Sequence, residues 1–138
     1  MTAVYLDTDV LLDFLLDRQP FNINAQHIFN LADSGQIEIM ISALSIANAN
    51  YVLGRFVSSE RRIYALSQIL HFVRICPLSA NEIHQALSLN FKDFEDGLQY
   101  VTAVTYKADV IVSRNVGDYK KSLIPVMTPE VFLKSNFT

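Results

Sequence analysis

Near the start of the chain, residues 4–16 read VYLDTDVLLDFLL. Val4–Leu6 predicts a short buried strand, and Val10–Leu16, which is apolar on nearly every side, predicts a buried helix entered directly from the turn that holds Asp7 and Asp9. A strand that leads through a short turn into a helix is the first half of a βα unit. We therefore expect a sheet of parallel strands.

The same alternation of strand and helix patterns continues along the chain. Further strands are predicted at Ile37–Ile41, Val73–Cys76, Val110–Val112 and Val126–Met127. Further helices are predicted from Asn22 to about Ala32, from about Ala43, over Ser58–His71, after the capping-box pair Ser79 and Glu82, over Phe94–Tyr106, and after Thr128. In the helix Phe94–Tyr106, the residues predicted to face inward are Phe94, Leu98, Val101 and Thr105. The expected fold is α/β, a three-layer α/β/α sandwich around a central parallel sheet of four to five strands.

The composition limits the class of protein. With 138 residues, 51% of them hydrophobic, we expect one domain spanning residues 1–138. No apolar run approaches the roughly 20 residues that cross a bilayer, and the acids at positions 7 and 9 interrupt any signal core, so a cytoplasmic protein is expected. The single cysteine, Cys76, excludes an intramolecular disulfide. A net charge of −3 argues against a protein that coats nucleic acid.

Carboxylates occur at the ends of predicted elements in three separate segments. Asp7 lies just beyond a strand, Asp93 and Asp96 open a helix, and Asp118 follows the strand Val110–Val112 by a short turn. Open α/β sheets bind ligands beyond the carboxyl ends of their strands. Carboxylates that meet in a partly buried cleft repel one another unless they bind a cation, and Mg²⁺ or Mn²⁺ prefers such oxygen ligands. The sequence therefore predicts a divalent metal site.

The order of these acidic segments resembles the PIN-domain family, which includes the ribonuclease toxins of bacterial toxin–antitoxin pairs. The resemblance spans nearly the whole chain and depends on four blocks taken together, since each alone is weak. The blocks are YLDTDVLLD at residues 5–13, ISALSIA at residues 41–47, DFEDGLQ at residues 93–99 and SRNVGDY at residues 113–119.

The resemblance implies a ribonuclease whose catalytic and metal-binding acids are Asp7, Asp96 and Asp118. Secondary roles beside the metal or the phosphate fall to Asp93, Ser113 and Asn115. The implied reaction is in-line attack of water on an RNA phosphodiester, with 5′-phosphate and 3′-hydroxyl products, and the implied partners are a small antitoxin and a second copy of the chain.

One position departs from the family pattern. Asn48 lies where the family usually has a Glu on the helix after the second strand, and an amide supplies no negative charge. Asn48 can still orient a water through its amide, but weaker metal binding is expected.

Other polar and aromatic residues carry less specific expectations. Three basic residues near Asp118 are candidates for contact with the RNA backbone: Arg114, Lys120 and Lys121. Asp9, Asp13 and Asp17, spaced by four residues, fit one polar edge of the first helix and are left outside the primary site. The tyrosines, Tyr51 and Tyr100 included, fit a core role better than a base-stacking role.

Two other functions remain open at this point. A phosphotransferase similar to the haloacid dehalogenases would use Asp7 as nucleophile and Asp9 as general acid, although no distal Lys and paired-acid motif accompanies them. A non-catalytic protein that keeps the PIN fold to bind RNA or a partner is supported by Asn48.

Overall fold

The computed structural model describes all residues, 1–138, and has the expected α/β architecture. The strands are β1 (Thr2–Leu6), β2 (Ile37–Ser42), β3 (Val73–Cys76), β4 (Val110–Val112) and β5 (Val126–Met127). The helices are α1 (Thr8–Leu15), α2 (Asn22–Asp33), α3 (Ala43–Leu53), α4 (Ser59–Ile69), α5 (Ala80–Leu89), α6 (Phe94–Thr105) and α7 (Pro129–Leu133), with a 3-10 helix at Val116–Tyr119.

All five strands form one parallel sheet in the order β3-β2-β1-β4-β5. The first strand lies at its centre, with Val4 opposite Ile39 on one side and Val110 on the other. The chain builds β2 and β3 outward on one side of β1 and then continues with β4 on the other side. This reversal of strand order places a crevice beyond the carboxyl ends of β1 and β4, where α/β folds bind ligands.

Helices cover both faces of the sheet, which confirms the three-layer prediction. Because side chains alternate along a strand, Val4 and Leu6 enter one core, together with residues of α1, α2 and α7. Tyr5 enters the other core, against residues of α5 and α6. The strands are apolar on both faces, as expected for a parallel sheet covered on both sides.

The inward stripe predicted for α6 is partly wrong. Leu98 and Val101 are buried, but Phe94 is 42% exposed and Thr105 is exposed. Thr102 is buried instead, because its hydroxyl donates a hydrogen bond to the Leu98 carbonyl 2.7 Å away and so needs no water. None of the helices combines the length with the hydrophobicity that a bilayer-spanning segment requires.

Candidate functional site

A cleft of about 380 Å³ opens beyond the carboxyl ends of β1 and β4. Its walls carry the acids of all three predicted segments, contributed by the β1–α1 turn, the start of α6 and the 3-10 helix. The acidic lining residues are Asp7, Asp9, Asp93, Glu95, Asp96 and Asp118, and the amides Asn48, Gln99 and Asn115 lie among them. Acids far apart in the sequence therefore face one space.

Asp7 is the most buried of these acids and is fixed on both oxygens. It is the N-cap of α1, where Oδ1 accepts a hydrogen bond from the Thr8 backbone N–H at 2.7 Å. Oδ2 accepts one from the Ser113 hydroxyl at 2.8 Å. Burial raises the pKa of Asp7, the Ser113 hydrogen bond opposes that rise, and the nearby charge of Asp9 adds to it.

Asp93 and Asp96 are held by the first turn of α6. Asp93 is the N-cap, and its Oδ1 accepts hydrogen bonds from the backbone N–H groups of Glu95 at 2.8 Å and Asp96 at 3.3 Å. Burial raises the pKa of Asp96 to about 7, and the charges of Asp93, Asp118 and Asp7 add to that rise. The half-buried Asp96 carboxyl is therefore crowded by negative charge.

The segment after β4 carries Asp118 to the edge of the cleft. Ser113 Oγ accepts a hydrogen bond from the Asn115 backbone N–H at 3.0 Å, and the Asp118 N–H donates to the Asn115 carbonyl at 3.0 Å. The Asn115 side-chain amide donates to Asp9 Oδ2 at 3.1 Å. Asp9, which its spacing with Asp13 and Asp17 placed outside the primary site, thus borders the cleft and anchors this segment to α1.

A buried polar network lies beneath the acids and was missed from the sequence. Gln99, only 3% exposed, donates through its amide to the Ser45 hydroxyl at 3.1 Å and to the Thr8 hydroxyl at 3.4 Å. Its carbonyl oxygen accepts a hydrogen bond from the Tyr5 hydroxyl. Gln99 therefore links β1 to the starts of α1 and α3. In the sequence, the one sign of this buried network is a single amide side chain within the apolar run Leu98–Val101.

Tyr119 is a second buried polar residue near the acids. Its ring is buried, at 2% exposure, and its hydroxyl has no hydrogen-bond partner in the chain. Burial raises the pKa of this phenol, and the charges of Asp7 and Asp96 and a contact with the Asp7 carboxylate add to the rise, so the hydroxyl approaches Asp7 without the geometry of a regular hydrogen bond.

The donor set fits a hard divalent cation in its chemistry. Oxygen ligands dominate the cleft, and an oxygen-lined site with crowded carboxylates favours Mg²⁺ or Mn²⁺ over zinc. No three His, Cys, Asp or Glu side chains are already grouped as a complete metal site. A cation here would therefore rely on few protein ligands and on water, as Mg²⁺ usually does.

A second groove, of about 660 Å³, continues from the acidic cleft and shares Asp93, Asp96 and Asp118 with it. Its remaining wall is basic and contains Lys92, Lys120 and Lys121. The Lys121 ammonium donates to the carbonyls of Leu89 at 3.1 Å and Asn90 at 2.7 Å, at the end of α5. Lys120 and Lys92 are exposed and form no ion pair, so their charges face the groove.

The predicted polar edge of α1 is wrong. Asp13 is 1% exposed and lies between two arginines, with its oxygens 2.9 Å from Arg18 Nε and 2.8 Å from Arg114 Nε. Asp17 lies beyond the end of α1, in a left-handed conformation with φ 52°. The guanidinium of Arg114 is also 4.0 Å from the ring centroid of Phe21, so much of its surface is occupied within the protein.

Comparison with known proteins defines the class. The PIN domain family profile matches residues 3–117, and the chain belongs to the PIN domain family. Ribonuclease VapC1 of Aquifex aeolicus is 25% identical over 134 residues, which cover 94% of this chain and 92% of that protein. This assignment leaves the phosphotransferase interpretation of Asp7 and Asp9 without support.

Solved structures share the fold. VapBC-1 from nontypeable Haemophilus influenzae superposes with a TM-score of 0.70 at 15% identity, covering 94% of this chain and 99% of that one. A toxin–antitoxin complex from Klebsiella pneumoniae has a TM-score of 0.66 at 20% identity, covering 91% of this chain and 97% of that one.

Proposed function

We propose that this protein is a metal-dependent endoribonuclease. The observation that carries the proposal is that Asp7, Asp96 and Asp118 line one cleft at the point where the strand order reverses. The likeness to a protein named Ribonuclease VapC1 supports RNA as the substrate class. Crowded carboxylates that share a cleft with a basic groove suit a phosphodiester held beside a cation.

Mg²⁺ or Mn²⁺ would be held by Asp7, Asp96 and Asp118, with Asp93 and Asn48 nearby. When bound, the ion supplies positive charge for the phosphate oxygens and favours deprotonation of an attacking water. Asn48 offers an amide rather than a carboxylate, which lowers the negative charge of the ligand set and the expected metal affinity.

The chain's own residues position the site and hold the substrate. Ser113 fixes the inner oxygen of Asp7, and Asn115 holds the segment that carries Asp118. Lys120 presents a free ammonium to the RNA backbone in the groove beside the acids, and Lys92 adds a second one. Lys121 and Arg114 lie on the same rim, but each already has partners within the protein, so their contribution to RNA binding is expected to be smaller.

A cleavage assay tests the proposal directly. Purified protein is incubated with structured and single-stranded RNA in Mg²⁺, in Mn²⁺ and in EDTA, with Asp7→Asn as the matched control. We expect products only with metal and only from the unsubstituted protein, carrying 5′-phosphate and 3′-hydroxyl ends. Ends with a 2′,3′-cyclic phosphate would contradict the mechanism.

Asn48 favours one alternative, a PIN-fold protein that binds RNA or a protein partner without cleaving. The two functions separate in the same assay, because a non-cleaving protein would form no metal-dependent product beyond the Asp7→Asn control. Asn48→Glu sharpens the comparison, since a restored carboxylate should increase metal affinity and the rate of an active enzyme.

We also propose that a small antitoxin protein is the physiological partner and that the chain is the toxin of such a pair. The fold similarity to a toxin–antitoxin complex supports this proposal. The expectations of a homodimer, of one domain over residues 1–138 and of a cytoplasmic location stay predictions. Co-expression with the product of a neighbouring small gene, followed by light scattering, tests the partner and the oligomeric state together.

A further inference from the structure

We infer that Tyr51 is a stacking platform for an unpaired base of the RNA substrate, so that the RNA is single-stranded where it enters the cleft. The inference rests on the proposed ribonuclease function and deepens it by naming the form of the substrate. The expectation that Tyr51 belongs to the core is wrong, since this residue is 69% exposed.

The position of Tyr51 carries the first step. Its side chain is 69% exposed, yet it lines the same cleft as Asp7 and Asp96. Asn48 lies one helical turn earlier on α3 and lines the cleft too, so both residues project from one face of this helix toward the acids. A large ring is thus presented to solvent at the wall of the proposed catalytic cleft.

The surroundings of the ring suit a nucleotide. The guanidinium of Arg55 lies 5.2 Å from the centroid of the Tyr51 ring, and Arg55 forms no ion pair. Arg55 covers one face of the ring, and the exposed remainder of the ring can stack on a base of any identity. The guanidinium itself forms no ion pair, so it can also contact a phosphate oxygen. The remaining groove, on the far side of the shared acids, carries Lys92 and Lys120 for the backbone.

Stacking of a base on Tyr51 requires that the base be unpaired, so it determines whether single-stranded or duplex RNA can bind. Within a duplex both faces of a base are covered by its neighbours, and the deep major groove of A-form RNA admits no side chain. A base can reach Tyr51 only when it is unpaired or splayed out of a helix. We therefore expect loops, bulges and single strands to bind, and continuous duplex to bind weakly.

Binding of an unstructured RNA of about 12 nucleotides tests this inference. Fluorescence anisotropy of the labelled RNA is measured in Ca²⁺, which accepts the same oxygen ligands as Mg²⁺, for single strand and for the strand annealed to its complement. Tyr51→Ala should weaken binding of the single strand by about tenfold, the loss of one stacked base. Tyr64→Ala is the matched control, since Tyr64 is 67% exposed on α4 and does not line the cleft.

A substitution that preserves stacking of the aromatic ring on a base can also provide a fluorescence signal for RNA binding. The protein contains no tryptophan, so Tyr51→Trp introduces a single indole at the cleft wall. We expect this variant to bind the single strand at least as tightly as the unsubstituted protein and its fluorescence to be quenched by the RNA. Tyr64→Trp should show no quenching.

The outcomes separate this inference from the proposed function. Unchanged affinity and cleavage in Tyr51→Ala would overturn the stacking role while leaving the ribonuclease function intact, and duplex binding as tight as single-strand binding would do the same. Unchanged RNA affinity together with a shift from dimer to monomer would assign Tyr51 to a protein interface instead. Failure of the unsubstituted protein to bind or cleave any RNA would overturn both.

Discussion

Arg114 and Asp13 form a two-point ion pair between residues 101 positions apart in the sequence. Arg114 Nε lies 2.8 Å from Asp13 Oδ2, and Arg114 Nη2 lies 3.2 Å from Asp13 Oδ1. Asp13 also contacts Arg18 Nε at 2.9 Å, so one buried carboxylate holds two guanidinium groups. The pair fastens the segment that carries Asp118 to α1, and it thereby supports the shape of the acidic cleft.

Asp13→Ala should lower the free energy of unfolding by about 2 kcal/mol. Breaking a buried ion pair costs more than that, but both arginines are partly exposed and regain some hydration. The measurement is urea unfolding, with Glu130→Ala as control, since the exposed pair between Glu130 and Lys134 is worth at most about 0.5 kcal/mol. Equal effects of the two substitutions would contradict a structural role for Asp13.

The metal-free protein should become more stable as the pH falls from about 8 to about 5. The pKa of Asp96 is raised from 3.8 to about 7, and the pKa of Asp7 is raised as well, so the folded state binds protons more tightly than the unfolded chain. Stabilisation by protonation therefore develops as the pH falls through 7 and is absent above it.

The pH dependence is read from the midpoint of urea unfolding in EDTA. Asp96→Asn should flatten the profile, because the substituted side chain has no proton to gain. Asp33→Asn, at an exposed position near the end of α2, should leave the profile unchanged. An Asp96→Asn profile as steep as the original would show that protonation of Asp96 does not cause the pH dependence.

Mg²⁺ should stabilise the folded protein through the same acids. A ligand that binds only the folded state at about 100 times its dissociation constant adds about 2.7 kcal/mol. We expect such a shift in thermal unfolding of the unsubstituted protein and little or none in Asp7→Asn. A metal-dependent shift of equal size in both proteins would place the cation elsewhere.

Gln99→Leu should destabilise the protein by about 1–3 kcal/mol, since it removes the partners of buried hydroxyl groups while nearly preserving volume. Cleavage should also slow, because the starts of α1 and α3 lose their common anchor. Gln85→Leu, at an exposed position of α5, is the control. If Gln99→Leu is as stable and as active as the unsubstituted protein, Gln99 does not hold the starts of α1 and α3 in place.

Lys120→Ala and Lys121→Ala should have different effects. Lys120 is free and borders the groove, so its removal should weaken RNA binding. The slope of log K for RNA binding against log salt concentration should become shallower by about 0.7, the value of one phosphate contact on a single strand. Lys121 is bound to the carbonyls of Leu89 and Asn90, so its loss should lower stability more and salt dependence less. Salt titrations of RNA binding and urea unfolding of both variants measure the two effects, and identical behaviour would refute the distinction.

Much of the fold could be predicted because strand and helix periods differ. The strands Val73–Cys76, Val110–Val112 and Val126–Met127 and the start of α5 lie where the patterns indicated. The spacing of apolar residues indicates that a helix is amphipathic, but it does not indicate which part of the protein packs on the apolar face. Ile63 of α4 and Leu87 of α5 are apolar, yet each is 63% exposed.

The acids of the candidate site were predictable because they end buried strands or begin helices, but their supporting residues were not. Asp13 looks like any acid on a helix until its two arginine partners are placed beside it. Gln99 and Tyr119 occupy buried positions beneath the acids, and contacts with residues about 100 positions away cannot be inferred from local spacing.

The central place of β1 has a consequence during synthesis on the ribosome. The first strand reaches its full pairing only after β4 has emerged, and Asp7 receives its hydrogen bond from Ser113, 106 residues later. A growing chain that stops short of this point lacks both the neighbouring strand and the segment with Asp118. Translation products that end before Ser113 would therefore carry Asp7 and Asp96 without the strand and the hydrogen bond that position Asp7 in the cleft.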